Sequence, residues 1–357
     1  MHCCTHAFQA SAFDHSATHP EVVFAAIKHS ESVCRKPEEK NRGLLPSLEK
    51  LWHAYFFMSK FYPPHLFFLI FLVLLSFAPA QGARAKEITP LSLPGAESVV
   101  FKEIGEDKIL LHLVRPKGWK ASDRRPCFIT FFGGGWKIGT PRGSIPWAKA
   151  AARQGMVGVA PDYRTAGRFG TTPADAVADS RAAVRWMQDH AAEYGIDPAK
   201  IIVQGYSAGG HVGAWTAIAE PFSPERAEDP VPKWPPAALI LFAPVTATPW
   251  FPALSVAERM PQKMPPTLVV HGAEDRVIPL DQSEEFTQRM LANGNRCQLL
   301  ILEDAGHDVF WDFRSGEAGN RAQALIREEV LGFLASLELL PVEENPERAE
   351  PLTSEAP

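Results

Sequence analysis

The sequence predicts an α/β protein built on a mostly parallel eight-stranded sheet with helices packed against its faces. Three observations carry that expectation. Short, nearly continuous apolar runs recur at Cys127–Phe132, Met156–Ala160, Ile201–Gln204, Ala237–Phe242, Thr267–Val270 and Gln298–Leu302. Most lack in/out alternation, as strands covered on both faces do. Helical patterns lie between them, and alternation of strand and helix is the grammar of a parallel sheet. Ahead of these runs, Glu97–Glu103 and Lys108–Val114 flank a turn containing Gly105 and read as an opening hairpin, which completes the eight strands.

The chain has 357 residues, of which 46% are hydrophobic, 22% charged and 10% aromatic, a globular balance with a sizeable core. A formal net charge of −5 argues against a nucleic-acid binder, which shows a basic patch or stripe. Five cysteines, with Cys3 and Cys4 adjacent, give neither a disulfide framework nor a spaced metal site. With no ligand cluster and no dinucleotide fingerprint, no metal and no organic cofactor is expected.

The ends read differently from the middle. The apolar run Leu66–Phe77 is too short to span a bilayer, which takes about 20 residues. It fits the h-region of a secretory signal, with Lys60 before it and Ala78-Pro79-Ala80 or Ala83-Arg84-Ala85 as small-x-small cleavage geometry. Met58 stands where such a signal would begin, and a core helix or retained anchor is the alternative. The expected organisation is an unstructured upstream extension over 1–57, a signal peptide over 58–80, a linker over 81–95, the α/β domain over 96–338, and a disordered acidic, Pro-rich tail over 339–357. The protein is then secreted or periplasmic, with no stable membrane span after cleavage; its oligomeric state is left open. Cys127 and Cys297 each open an apolar run and read as free core thiols, a disulfide being the alternative in an oxidising compartment.

Within the domain, the clearest helix is Pro173–Tyr194. Ala176, Val177, Ala183, Val184, Trp186 and Met187 form one apolar stripe on it. Thr172 is placed to cap it, Pro173 occupies the first turn and Gly195 follows its end. Two Pro-rich insertions, Pro221–Pro236 and Pro244–Pro266, flank the strand Ala237–Phe242 and form either a lid or surface loops. No internal repeat is visible.

The residues that carry chemistry sit at strand ends. Gly205-Tyr206-Ser207-Ala208-Gly209-Gly210 is G-x-S-x-G between a strand and a small-residue helix, the context that gives the motif meaning. A serine there sits on a strained turn beside a helix N-terminus, which favours negative charge. Upstream, Gly133-Gly134-Gly135-Trp136 closes the strand Cys127–Phe132. Its glycines let backbone N–H groups turn toward a developing oxyanion, so Gly134, Gly135 and Ala208 are the donor candidates. Of the histidines after the linker (His112, His190, His211, His271 and His307), only His307 has the chain position of a base after nucleophile and acid. His211 reads better as a packed core histidine. The acid belongs after Thr267–Val270, where Asp275 is the choice and Glu274 the alternative. Trp136, Trp311 and Phe310 flank these loops, either as walls of a substrate pocket or as ordinary core aromatics.

Together, GYSAGGH at Gly205–His211, the GGGW loop, the GAEDRVIP acid loop and the AGH loop resemble the α/β-hydrolase superfamily. The resemblance is to its acetyl-esterase and feruloyl-esterase-like branch related to hormone-sensitive lipase, and it covers roughly Val99 to Leu334. It implies an α/β-hydrolase fold with little or no cap, and catalysis by Ser207, Asp275 and His307 with Gly134, Gly135 and Ala208 as oxyanion donors. It also implies hydrolysis of short acyl esters, acetyl among them, on a small molecule or on plant polysaccharide such as acetyl-xylan. An amidase or peptidase of the same fold and an inactive binding protein are the competing readings. One departure is plain: the family pattern is His-Gly-Gly-Gly, and Phe132 stands at the His position here.

Overall fold

The structure, a computed structural model, describes residues 92–341 apart from 224, 226–228 and 311–316. The expected extension, signal segment and linker up to residue 91, and the tail beyond 341, lie outside the described residues.

The hairpin forms where the alternation puts it. Strands β1 (Glu97–Ile104) and β2 (Asp107–Val114) pair antiparallel, and Gly105 takes the positive φ of +60° that the turn requires. The six apolar runs all become strands: β3 (Arg125–Phe131), β4 (Val157–Pro161), β5 (Ile196–Tyr206), β6 (Ala238–Phe242), β7 (Thr267–Gly272) and β8 (Cys297–Leu302). They form one 8-stranded sheet in the order β1-β2-β4-β3-β5-β6-β7-β8, antiparallel through β1-β2-β4 and parallel thereafter. Chain order reverses at β3, whose neighbours are β4 on one side and β5 on the other. In open α/β sheets the crevice beyond the carboxyl ends of the strands at such a reversal is where ligands bind.

Helices cover both faces, which is why the strands are apolar on both. Helices α1 (Ile145–Arg153), α2 (Ala166–Phe169), α3 (Pro173–Asp189), α4 (Ala208–Trp215), α5 (Val256–Arg259), α6 (Leu280–Ala292) and α7 (Glu317–Ala335) follow in chain order. Val177, Val184 and Met187 of α3, Val212 of α4 and Phe286 of α6 pack with Ile129, Val203, Leu241 and Val269 on one face. Ile326, Val330, Phe333 and Leu334 of α7 pack with Phe128, Ile202, Ile240 and Leu268 on the other. The core runs slightly beyond the expected bounds of 96–338: Leu93 joins Ile145 and Ala148, and Leu339 packs with the α7 cluster.

Helix α3 starts as expected, with the Asp175 carboxylate accepting the Thr172 backbone N–H at 2.9 Å in a capping box. It stops at Asp189, short of Tyr194, because residues 190–195 turn to deliver the chain into β5. The N–H groups of Glu193 and Tyr194 both reach the His190 carbonyl, Trp119 Nε1 donates to the Tyr194 carbonyl, and Gly195 takes φ +60°. Cys127 and Cys297 are free and buried, as expected of core thiols.

Two buried histidines make the fold acid-sensitive. His112 on β2, beside Ser98 Oγ at 2.8 Å, and His211 on α4, whose Nε2 donates to the Leu254 carbonyl at 2.8 Å, are both fully buried. Burial pushes each pKa down to about 4, helped at His112 by the Arg142 charge. Between about pH 6.5 and pH 4 the unfolded chain therefore binds protons that the folded protein refuses. Stability is complete above that window and falls through it, by about 3 kcal/mol per histidine at the acid limit. Urea unfolding at pH 7 and pH 5 checks this: the midpoint drops at pH 5, and an unchanged midpoint would contradict it.

Candidate active site

Ser207 sits between β5 and α4 at φ 55° and ψ −120°, a strained conformation for a residue with a side chain, of the order of 1–3 kcal/mol. The surroundings over-determine it. Its N–H donates to the Phe242 carbonyl at 2.9 Å, and its carbonyl accepts the His211 N–H at 3.1 Å. Strand and helix approach so closely that a Cβ on Gly205 would run into the Gly209 carbonyl, and one on Gly209 into the carbonyls of Phe131 and Phe132.

The base and acid reach Ser207 from two other strand ends. His307 follows β8, and its Nε2 accepts the Ser207 hydroxyl at 3.1 Å. Its Nδ1–H donates to Asp275 Oδ2 at 2.7 Å. The Asp275 side chain is fully buried, and its Oδ1 accepts the N–H groups of Val277 at 2.8 Å and Ile278 at 2.9 Å. Between the two acid candidates the geometry selects Asp275; Glu274 is exposed, and its N–H donates to the Ala305 carbonyl. The loops carrying acid and base are joined along their backbones, since a Cβ on Gly272 would strike the Ala305 carbonyl. Tyr206, the residue before the serine, steadies the base by donating its hydroxyl to the His307 carbonyl at 3.0 Å.

The glycine loop lies alongside because β3 and β5 are paired with Phe131 opposite Gly205. Gly134 and Gly135 take φ +125° and +59°, and Trp136 follows at +59°. The Gly134 carbonyl accepts both Lys137 and Ile138 N–H groups at 3.1 Å, closing a tight turn. Among the described residues no carbonyl takes the N–H of Gly134, Gly135 or Ala208. Trp136 is buried in the main core with its ring edge-on to His211 at 5.0 Å between centroids, the position of a core aromatic. Trp311 lies outside the described residues, as does the side chain of Phe310.

The brace that replaces the missing loop histidine was not legible in the sequence. Phe132 stacks flat on Tyr163 (4.0 Å between centroids, 7° between planes), and the Tyr163 hydroxyl donates to the Phe132 carbonyl at 2.8 Å. Below them Arg168 forms a two-pronged pair with the Asp162 carboxylate at 2.7 and 2.6 Å and donates to the Tyr163 carbonyl at 2.8 Å. Helix α2 also clips to the loop, through Ala166 and Gly167 N–H groups donated to the Trp136 and Lys137 carbonyls at 2.8 Å. The one signal was Asp162-Tyr163-Arg164 directly after an apolar strand, charged residues where burial begins.

A reversal-point crevice holding a serine on a strand–helix elbow, an imidazole and a buried carboxylate defines the α/β-hydrolase class. Comparison with known proteins agrees. The BD-FAE family model matches residues 111–224. The structure of Est2, a thermophilic esterase of Thermogutta terrifontis, with propionate bound, superposes with a TM-score of 0.62 at 34% identity, over 70% of this chain and 97% of that one. Among sequences, the carboxylesterase NlhH of Mycobacterium tuberculosis is 43% identical over 26% of this chain, and the probable carboxylic ester hydrolase LipM of the same organism 29% identical over 59%. These two matches span only 28% and 57% of those relatives' own lengths. The chain belongs to the α/β-hydrolase esterases related to hormone-sensitive lipase, and on that footing it is a carboxylic ester hydrolase.

Proposed function

We propose that this chain is an exported serine carboxylesterase acting on short acyl esters. The row Ser207 Oγ–His307 Nε2 at 3.1 Å and His307 Nδ1–Asp275 Oδ2 at 2.7 Å is the observation that carries the reading. In this mechanism Ser207 Oγ attacks the ester carbonyl as His307 Nε2 takes its proton. Asp275 keeps the proton of the neutral ring on Nδ1 and stabilises the imidazolium that forms. The N–H groups of Gly134, Gly135 and Ala208 meet the oxyanion, each worth about 3–4 kcal/mol of barrier. His307 then gives the proton to the departing alcohol, the acyl group stays on Ser207, and water activated by His307 releases it as the acid.

Short acyl groups are favoured because Est2, similar over nearly its whole length, has been solved with propionate and with butyrate bound. Acetylated polysaccharide rests on the resemblance to the acetyl- and feruloyl-esterase-like branch alone. Export rests on the Leu66–Phe77 run with its flanking Lys60 and small residues.

Paraoxon, which phosphorylates Est2, supplies the test. Incubation should add one phosphoryl group to the peptide containing Ser207. A panel of p-nitrophenyl esters should show acetate to butyrate turned over at least about tenfold faster than octanoate. Acetylated xylan and acetylated small sugars then separate the alcohol classes. An unlabelled Ser207 would mark an inactive fold, and preferential cleavage of peptides would move the protein to the amidases.

A further inference from the structure

We propose that His271 is a positioning residue for this reaction, a second imidazole that holds the Asp275 carboxylate in the orientation from which it serves His307. The proposal rests on the reading of Ser207, His307 and Asp275 given above.

His271 lies near the end of β7 with its side chain fully buried. Its Nε2 faces two acceptors, Asp275 Oδ2 at 3.2 Å and the Ile278 carbonyl at 3.0 Å, so that nitrogen carries the proton. Its Nδ1 lies 2.7 Å from Ser283 Oγ on α6 and accepts the hydroxyl proton while the ring is neutral. Burial lowers its pKa, and the charge that a protonated His307 would carry works the same way, whereas Asp275 and the Ile278 carbonyl oppose the shift. The ring is therefore a neutral donor anchored at both nitrogens. The groups facing it are Asp275 and Ile278 from the acid loop, Ser283 from α6 and His307 from the loop after β8.

Asp275 thus accepts three hydrogen bonds and faces a fourth N–H, that of His271, at 3.2 Å. Two backbone N–H groups pin Oδ1, and two imidazoles from different parts of the chain share Oδ2. His307 is the one tight donor on Oδ2, so the His271 N–H is the second group limiting rotation of the carboxylate on that side, and a small misorientation of a reacting group already slows an enzyme. Without the His271 N–H, Oδ2 keeps a single donor, and the Ile278 carbonyl and Ser283 lose a partner. The remaining negative charge on Oδ2 then acts on His307 alone and favours its protonated form.

The test is the pH dependence of kcat/KM on p-nitrophenyl acetate for wild type, H271F and H271Q. Glutamine places an amide N–H near the position of the imidazole Nε2; phenylalanine fills the space without a donor. In H271F kcat should fall about tenfold with KM within about twofold, and the acid limb should move up by about half a pH unit. H271Q should recover most of the rate and return the limb to its wild-type position. Should H271F fail to fold, H271Q and one measurement on the unmodified protein decide: ¹⁵N-histidine NMR at pH 7 should show His271 as the neutral Nε2–H tautomer. Equal losses in both variants with an unmoved profile, wild-type behaviour in both, or an Nδ1–H tautomer would overturn the proposal. Failure of the Ser207 reading would appear separately, as full turnover by Ser207→Ala.

Discussion

Ser207→Ala lowers kcat on p-nitrophenyl acetate by about a thousandfold or more while the protein stays folded. Oγ is the one heavy atom removed, and it is the atom that His307 Nε2 meets at 3.1 Å. Alanine carries the same Cβ at the same φ of 55°, so the strain at the elbow is unchanged and the backbone bonds to Phe242 and His211 survive. Unfolding stability should move by less than about 0.5 kcal/mol. Any residual rate comes from the backbone donors of the glycine loop and Ala208, which is why His307→Ala on top of Ser207→Ala should add little. Stopped-assay kinetics and urea denaturation on the same preparation check both halves. A full rate in the variant would mean that the nucleophile is another group.

Arg168→Met should lower stability by about 3–5 kcal/mol, because it leaves the Asp162 carboxylate buried without its partner. At about 2–4 °C per kcal/mol for a domain of this size, the thermal midpoint falls by about 10 °C. The effect reaches the site as well: Arg168 holds Asp162 and the Tyr163 carbonyl, and Tyr163 stacks on Phe132 at the root of the glycine loop. Turnover should therefore fall even at temperatures where the variant is folded. Adding Asp162→Asn to Arg168→Met should restore part of the stability, since the charge left without a partner is gone. Differential scanning calorimetry of the two variants gives the answer, and an unchanged midpoint in the single variant would show that the pair carries no net weight.

What could be read in advance follows from the range of the interactions involved. The six buried strands were legible because a strand covered on both faces writes its burial into consecutive residues. The serine elbow was legible because one of its glycines is demanded by a neighbour four positions away, Gly205 against Gly209. Chain order places the base, and the Val277 and Ile278 N–H groups that follow hold Asp275 rather than Glu274. The loop brace leaves no more than that charged trace after β4, because Phe132 and Tyr163 lie 31 residues apart and meet only when β3 and β4 pair. The early stop of α3 has a similar reason: the helical reading runs on to Tyr194, but the chain must turn after Asp189 to enter β5. The link from His271 to Asp275 is not legible in the sequence, since it depends on how the loop folds back.

The sheet order places the reacting groups at unequal depth. Ser207 and the glycine loop issue from β5 and β3 in the middle of the sheet, whereas His307 hangs from β8, the outermost strand on its side. Edges of a sheet open at lower free energy than its centre. Fraying that begins at β8 carries the imidazole away while the serine elbow is still intact. The upper working temperature should therefore be set at this margin, and reinforcement of β8 and its neighbour should raise it further than the same stabilisation added in the interior.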